Sequence, residues 1–321
     1  MKLFPLHLIP NDTNFNFMRL RWISLGVAVL LAVVAIGAMA TKGFNYALDF
    51  TGGTVVELRF ERPADVDGVR ERLAAAGFES AQVQTFGSGS DLLVRLQPRE
   101  GQRDAGGNDS TTQDVLAAAS TADNVAKPLR SEFVGPQVGK ELALNGLYAL
   151  IFVVVGFLIY IGFRFEWKFA LAAIFTTLHD VLIVAGFFAL TGREFDLTVL
   201  AGLLSVMGFS INDTIVVFDR VRENFRSLRA DPVEILNRSV NQTLSRTIIT
   251  SFVAFLTVLA LYLYGGGSLE GMAISQMMGI VIGTISSIFV ACPLLTMGFM
   301  RVTKQDLLPK AREEAELARR P

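Results

Sequence analysis

Six apolar runs set the pattern of the chain, at residues 22–40, 142–162, 169–190, 197–217, 247–264 and 272–300. A helix needs about 20 mostly apolar residues to cross a bilayer, so each run is expected to span a membrane. The last run is long enough to tilt or to continue past the membrane. The fold expected is therefore a polytopic α-helical membrane protein with six transmembrane helices. Arg19 and Arg21 before the first run, and Ala38-Met39-Ala40 at its end, are also features of a cleaved signal. The run is longer than a signal's apolar region and the segment before it is long, so a retained span is the expectation.

One long insert breaks the series, at residues 41–140, and its pattern changes to short alternating stretches. Residues 54–60 alternate as a strand. Residues 65–76 read as a helix, with Pro63 ahead of it and Gly77 as its stop. Residues 81–86 and 92–96 read as two strands joined through Gly87-Ser88-Gly89-Ser90. A polar, glycine-rich stretch follows at 98–110, then a second helix at 112–126 and a last strand at 129–134. The order βαββαβ is that of a ferredoxin-like α+β domain, which hosts many functions and selects none of them.

Charge sorts these pieces by side. Of 321 residues 51% are hydrophobic and 18% charged, against roughly a quarter charged in a soluble domain. Lys2, Arg19 and Arg21 precede the first span, and Arg164 and Lys168 lie between the second and third. Arg220, Arg222, Arg226, Arg229 and Arg238, with Arg246 at the edge, fall in what reads as a loop between the fourth and fifth. Arg301, Lys304, Lys310, Arg312, Arg319 and Arg320 follow the sixth, while the alternate short loops hold Arg193 alone. The positive-inside rule then makes 1–21 and 301–321 a cytoplasmic segment and tail. It places 22–40 as the first span, 41–140 as a periplasmic domain, and 141–300 as the remaining spans with short loops. The same rule accounts for the basic stretch 226–238 without nucleic acid, and a net charge of −1 supplies no basic field to recruit it.

Little else in the chain suggests covalent chemistry. A single cysteine, Cys292, permits no intrachain disulfide, and two histidines far apart in sequence, His7 and His179, argue against a multi-histidine metal site. Thr51-Gly52-Gly53-Thr54 and Gly265-Gly266-Gly267 lack the Walker and dinucleotide patterns, so ATP is not expected to be the energy source. No cofactor, no metal and no enzymatic reaction are expected.

The informative residues are the ionisable ones inside spans, each costing about 2.5–3.5 kcal/mol at a helix centre. Asp213 lies in the cytoplasmic half of the fourth span beside Asn212. It reads either as a hydrogen-bonded acid near the helix end or as a group that binds and releases a proton. Burial disfavours a charged carboxylate and a nearby cation favours it, so a moving cation would switch the proton. Arg246 is the natural cation, and Arg246, Thr250 and Thr257 share one helical face that would line a groove toward Asp213. An anchoring role at the membrane edge fits Arg246 equally well. His179-Asp180 lies mid-span in the third helix, as a proton carrier or a structural hydrogen bond. Gly279, Gly283 and Ser287 recur every four residues in the sixth span, and Gly202 begins a looser series in the fourth, a spacing that lets helices pack closely.

Several strings are familiar together. They are Gly43-Phe44-Asn45, Leu48-Asp49-Phe50-Thr51-Gly52-Gly53-Thr54, Glu132-Phe133-Val134-Gly135-Pro136-Gln137-Val138-Gly139 and Gly162-Phe163-Arg164-Phe165-Glu166-Trp167. Asn212-Asp213-Thr214-Ile215-Val216-Val217, Asp219-Arg220-Val221-Arg222-Glu223-Asn224-Phe225 and Gln242-Thr243-Leu244-Ser245-Arg246-Thr247-Ile248-Ile249-Thr250-Ser251 complete the set. In this order they resemble the SecD/SecF family of protein-export membrane proteins, of the resistance-nodulation-division type, over nearly the whole chain. The resemblance implies two similar halves of six spans and one large domain each, so this half implies a partner half, SecD. It implies attachment to the SecYEG channel with small accessory subunits, an unfolded preprotein as client, and the lipids of the bacterial inner membrane as surroundings. It implies a motor driven by protons, with Asp213 and Arg246 matching the family's proton-path carboxylate and arginine. His179-Asp180 matches a His-Asp pair to which no role is given. A proton-driven exporter of small molecules or lipids, and a passive scaffold, are the rival classes.

Overall fold

A computed structural model of the chain describes residues 13–79, 81–86, 90–97, 106–303 and 306. The expected Gly87-Ser88-Gly89 turn, residues 98–105 of the polar stretch, and nearly all of the charged tail lie outside these residues. In chain order the elements are α1 (Arg21–Lys42), β1 (Asn45–Tyr46), α2 (Leu48–Thr51), β2 (Gly53–Phe60), α3 (Val66–Ala75), β3 (Gln82–Phe86), β4 (Asp91–Leu96) and α4 (Gly106–Ala119). Then come β5 (Ala126–Val134), α5 (Pro136–Arg164), α6 (Trp167–Thr191), β6 (Glu194–Phe195), α7 (Leu197–Ser227), α8 (Pro232–Tyr264) and α9 (Glu270–Ser286). A π-helical turn at Ser287–Ala291 leads to α10 (Cys292–Leu294). The chain forms two compact units, Met1–Asn45 with Leu150–Pro321, and Tyr46–Ala149.

Among the described residues six helices are long and apolar enough to cross a membrane: Phe17–Lys42, Gln137–Arg164, Trp167–Thr191, Leu197–Ser227, Pro232–Tyr264 and Glu270–Leu294. The expected basic loop between the fourth and fifth is mostly helix. α7 runs ten residues past the apolar limit at 217, and α8 begins at Pro232. Arg220, Arg222, Arg226 and Arg238 therefore sit on helical extensions, and only 228–231 connect them. The restart is local chemistry: Asp231 accepts a hydrogen bond from Val233 N at 3.0 Å, and Pro232 supplies a preset φ at the first helical position. Asp196 does the same for α7, accepting from Val199 N at 2.7 Å. The sixth run is continuous helix only to Leu294; a turn at 295–297 follows, and Gly298–Met300 form a short 3-10 helix.

α7 is the central helix of the membrane unit, packed against α6, α8 and α9. The glycine series explains its closest contact. A Cβ at Gly202 would overlap Ser275, and one at Gly279 would overlap Val206, so α7 and α9 meet nearly backbone to backbone. Gly186 of α6 lets Ala35 of α1 approach in the same way. Toward the basic end, Phe165, Phe169 and Phe218 close the core, with Phe169 and Phe218 edge to face at 5.3 Å.

The segment before α1 is tied to α8. Asn241 acts as a strand partner for Phe15: its Oδ1 accepts from Phe15 N at 2.9 Å and its Nδ2 donates to Phe15 O at 2.8 Å. Asn237 Oδ1 accepts from Met18 N at 3.3 Å, and Met18 is buried. Asn241→Ala removes two side-chain bonds to the Phe15 backbone, worth about 1 kcal/mol each. Limited proteolysis of the full chain should then cut near Phe15 several times faster than in the parent.

In the other unit the sheet order is β3-β4-β2-β5, all neighbours antiparallel. β2 and β3 run parallel with β4 between them, which is the split βαβ arrangement of a ferredoxin-like fold. Val56, Leu58 and Phe60 of β2 point to one face and pack with Val69 and Leu73 of α3 and Val115 and Ala119 of α4. The second helix is Gly106–Ala119 and not 112–126. Ser120 stops it by accepting from Ala126 N at 3.1 Å, and Thr121 and Asn124 exchange main-chain bonds in a turn, so β5 starts three residues earlier than the expected 129. The Gly52-Gly53 pair is a conformational requirement: Gly52 has φ 67°, Gly53 has φ 125°, and a Cβ at Gly53 would overlap the Leu96 carbonyl.

Candidate functional site

Helical spacing on α7 brings Ser210, Asp213 and Thr214 to one buried face, and Asp213 is 2% exposed. α8 supplies Ser251, whose hydroxyl donates to Asp213 Oδ2 at 3.4 Å. α9 supplies Thr284, which donates to Ser251 Oγ at 2.7 Å. Each hydroxyl also has a carbonyl of its own helix in reach, Thr247 O for Ser251 at 2.7 Å and Ile280 O for Thr284 at 2.6 Å. The single proton of each can therefore point toward the carboxyl or away from it. The bond to Asp213 is long for an O–H donor. Much of the carboxyl's bonding capacity is thus unused, an arrangement suited to a group that changes protonation state and partners.

Arg246 stands differently from the expectation. It is exposed on α8, and no ion pair joins it to Asp213 among the described residues. Thr250 and Thr257 are exposed too, and their hydroxyls turn back to Arg246 O and Val253 O, each at 3.0 Å. The face of α8 that lines the groove is that of Thr243, Thr247 and Ser251, all buried. One residue rotates a helical position by about 100°, so a one-residue offset moves the polar groove off the Arg246 face. Asn212, expected to add polarity beside Asp213, is exposed.

Asp180 is fully buried in α6 and is the better bonded carboxyl. Its Oδ2 accepts from Ser210 Oγ of α7 and from Ser286 Oγ of α9, each at 2.6 Å. Its Oδ1 lies 3.0 Å from His179 Nδ1. Among the described residues the other ring nitrogen, Nε2, is buried without a partner, as are the hydroxyl oxygens of Thr177, Thr214 and Thr247. α6, α7, α8 and α9 thus enclose a buried polar seam. Ser251, Thr284 and Ser286 were not singled out from the sequence. Their signal was faint, since serine and threonine in spans usually satisfy themselves on the preceding turn, as these also do. Among the described residues no group of three His, Cys, Asp or Glu side chains is placed to hold a metal ion.

The family model described as "Protein export membrane protein SecD/SecF, C-terminal" matches residues 114–301, and the "SecD/SecF GG Motif" matches 37–64. The chain is similar to the protein translocase subunit SecF of Pseudomonas aeruginosa, 47% identical over 299 residues, 92% of this chain and 94% of that one. It is 45% identical over 289 residues to the protein translocase subunit SecF of Escherichia coli O157:H7, covering 89% of each. Among solved structures it is similar to SecDF of Thermus thermophilus, described as a translocon-associated membrane protein. There the identity is 40% and the TM-score 0.79, over 91% of this chain and 39% of the longer one.

Proposed function

This chain belongs to the SecD/SecF family of protein-export membrane proteins, and from that premise we propose that it is the SecF half of a proton-driven motor for protein export. Its partner half is SecD; the similar Thermus chain is named SecDF, and this chain spans 39% of it. The pair attaches to the SecYEG channel, joined by small accessory subunits, and acts on unfolded preprotein emerging on the periplasmic side. The Lys and Arg distribution supports an inner-membrane placement with both termini in the cytoplasm. No covalent chemistry and no cofactor enter this reading.

The observation that carries it is Asp213, buried where α7, α8 and α9 meet and held by a switchable hydroxyl chain. A proton entering from outside neutralises the carboxyl and weakens its attraction to Arg246. Ser251 and Thr284 then turn to their own carbonyls, and α8 is released to shift against α7. The shift moves the domain of this chain and that of its partner, biasing the polypeptide outward. A membrane voltage supplies about 2.3 kcal/mol per charge per 100 mV.

The test uses membrane vesicles from cells depleted of this chain. Resupplying it should restore the part of export that an imposed proton-motive force drives, and an uncoupler should remove that part. Restored export insensitive to the uncoupler would mean a passive scaffold. Intact export with a drug or lipid defect would mean a small-molecule exporter.

A further inference from the structure

We propose that Asp180 is a second proton-holding site, coupled through Ser286 to the π-helical turn of the last span. The inference rests on the proton-driven reading above and adds a station to it. Both close donors to Asp180 Oδ2 are neutral hydroxyls at 2.6 Å, the length of O–H bonds to an ionised carboxylate. From α6 the titratable group facing it is His179. α7 presents Ser210 there, with Asp213 one turn farther along, and α9 presents Ser286 and the Gly283 backbone. Among the described residues no cation other than a protonated His179 neutralises Asp180, so a proton is the partner its charge lacks.

The surrounding bonds accommodate that proton without moving a carboxyl atom. In the charged state Ser210 and Ser286 both donate to Oδ2. When His179 Nδ1 passes a proton to Oδ1, Oδ2 becomes a neutral and weaker acceptor, and the Ser286 hydroxyl turns to Gly283 O, 3.1 Å away. One N–H bond breaks, one O–H bond forms and one hydroxyl changes its acceptor, so no other reactant is needed. His179 offers the route in: its Nδ1 faces Asp180 Oδ1, its Nε2 has no partner among the described residues, and its side chain is 14% exposed. Gly283 O also accepts the Ser287 main-chain N–H, which closes α9 at the start of the π-helical turn. The redirected hydroxyl therefore competes for the bond that joins α-helix to π-helix. Such turns are frequent at functional sites. The two carboxyls meet on the same helices, through Ser210 and Asp213 of α7 and through Thr284 and Ser286 of α9.

Infrared difference spectra of the full chain in liposomes, recorded across a pH titration, test this through the C=O stretch of protonated carboxyls. Asp180→Asn should remove one titrating band and Asp213→Asn a different one. Ser286→Ala keeps both carboxyls and should displace the Asp180 midpoint by about one pH unit, the worth of one bond to a charged group, while leaving the Asp213 band in place. No band lost on Asp180→Asn would overturn the proposal. If that variant does not assemble, Ser286→Ala decides: a displaced midpoint supports the second site and an unmoved one rejects it. Loss of a band on Asp180→Asn but not on Asp213→Asn would instead overturn the role given to Asp213.

Discussion

Asp213→Asn is expected to cut the proton-driven part of export about fiftyfold at a membrane voltage of 100 mV, with the level of the chain in the membrane unchanged. The factor is the bias that one proton supplies, about 2.3 kcal/mol at that voltage, at about 1.4 kcal/mol per tenfold. Asparagine matches the carboxyl in shape and still accepts from Ser251, so the hydroxyl chain from Thr284 survives. What it loses is the ability to exchange a proton and to feel the charge of Arg246. Export measured at matched membrane levels, with and without an uncoupler, separates this from misfolding. A fall in export with the uncoupler present in both samples would point to lost structure and not to a lost proton.

The second large effect is structural. Gly279→Leu should destabilise the membrane unit by about 1–3 kcal/mol or more, because even a Cβ at this position overlaps both methyl carbons of Val206. The α7–α9 contact has no slack to absorb it, since Ser275 against Gly202 and Ser210 against Gly283 flank the site on the same interface. The readout is the thermal midpoint of the full chain in detergent and its resistance to membrane proteases. Gly156→Leu is the matched control. It adds the same side chain to a span where a Cβ on the glycine would meet no atom of another element within 4 Å, and it should leave both readouts within error. Equal effects of the two substitutions would show that hydrophobic bulk, and not the glycine contact, was being measured.

How far the chain could be read in advance follows from where its signals are local. A span announces itself within 20 residues of its own sequence, so all six were legible. The alternation of 54–60 and the glycine stop at Gly77 made the β2–α3 pair legible in the same way. The helical extensions of α7 and α8 were not, because Arg220, Arg222 and Arg226 lie on the polar side of an amphipathic end that hydropathy scores as loop. The face of α8 was misassigned for a related reason. Exposed Arg246, Thr250 and Thr257 form the more conspicuous polar stripe, while the buried stripe of Thr243, Thr247 and Ser251 hides its hydroxyls against its own backbone. Asp213 was legible because a carboxylate inside a span is conspicuous by cost alone. The donors that define Asp180 were not, since Ser210 is 30 residues away and Ser286 is 106. No local pattern links them; only the packing of α6, α7 and α9 does.

The measurement closest to the central claim is proton flux itself. The full chain and its SecD partner are placed in liposomes holding a trapped pH dye, a voltage is imposed, and the parent is compared with Asp213→Asn. The account predicts inward proton movement in the parent that falls to the protein-free level in the variant. Equal flux in the two would contradict it and remove Asp213 from the proton path.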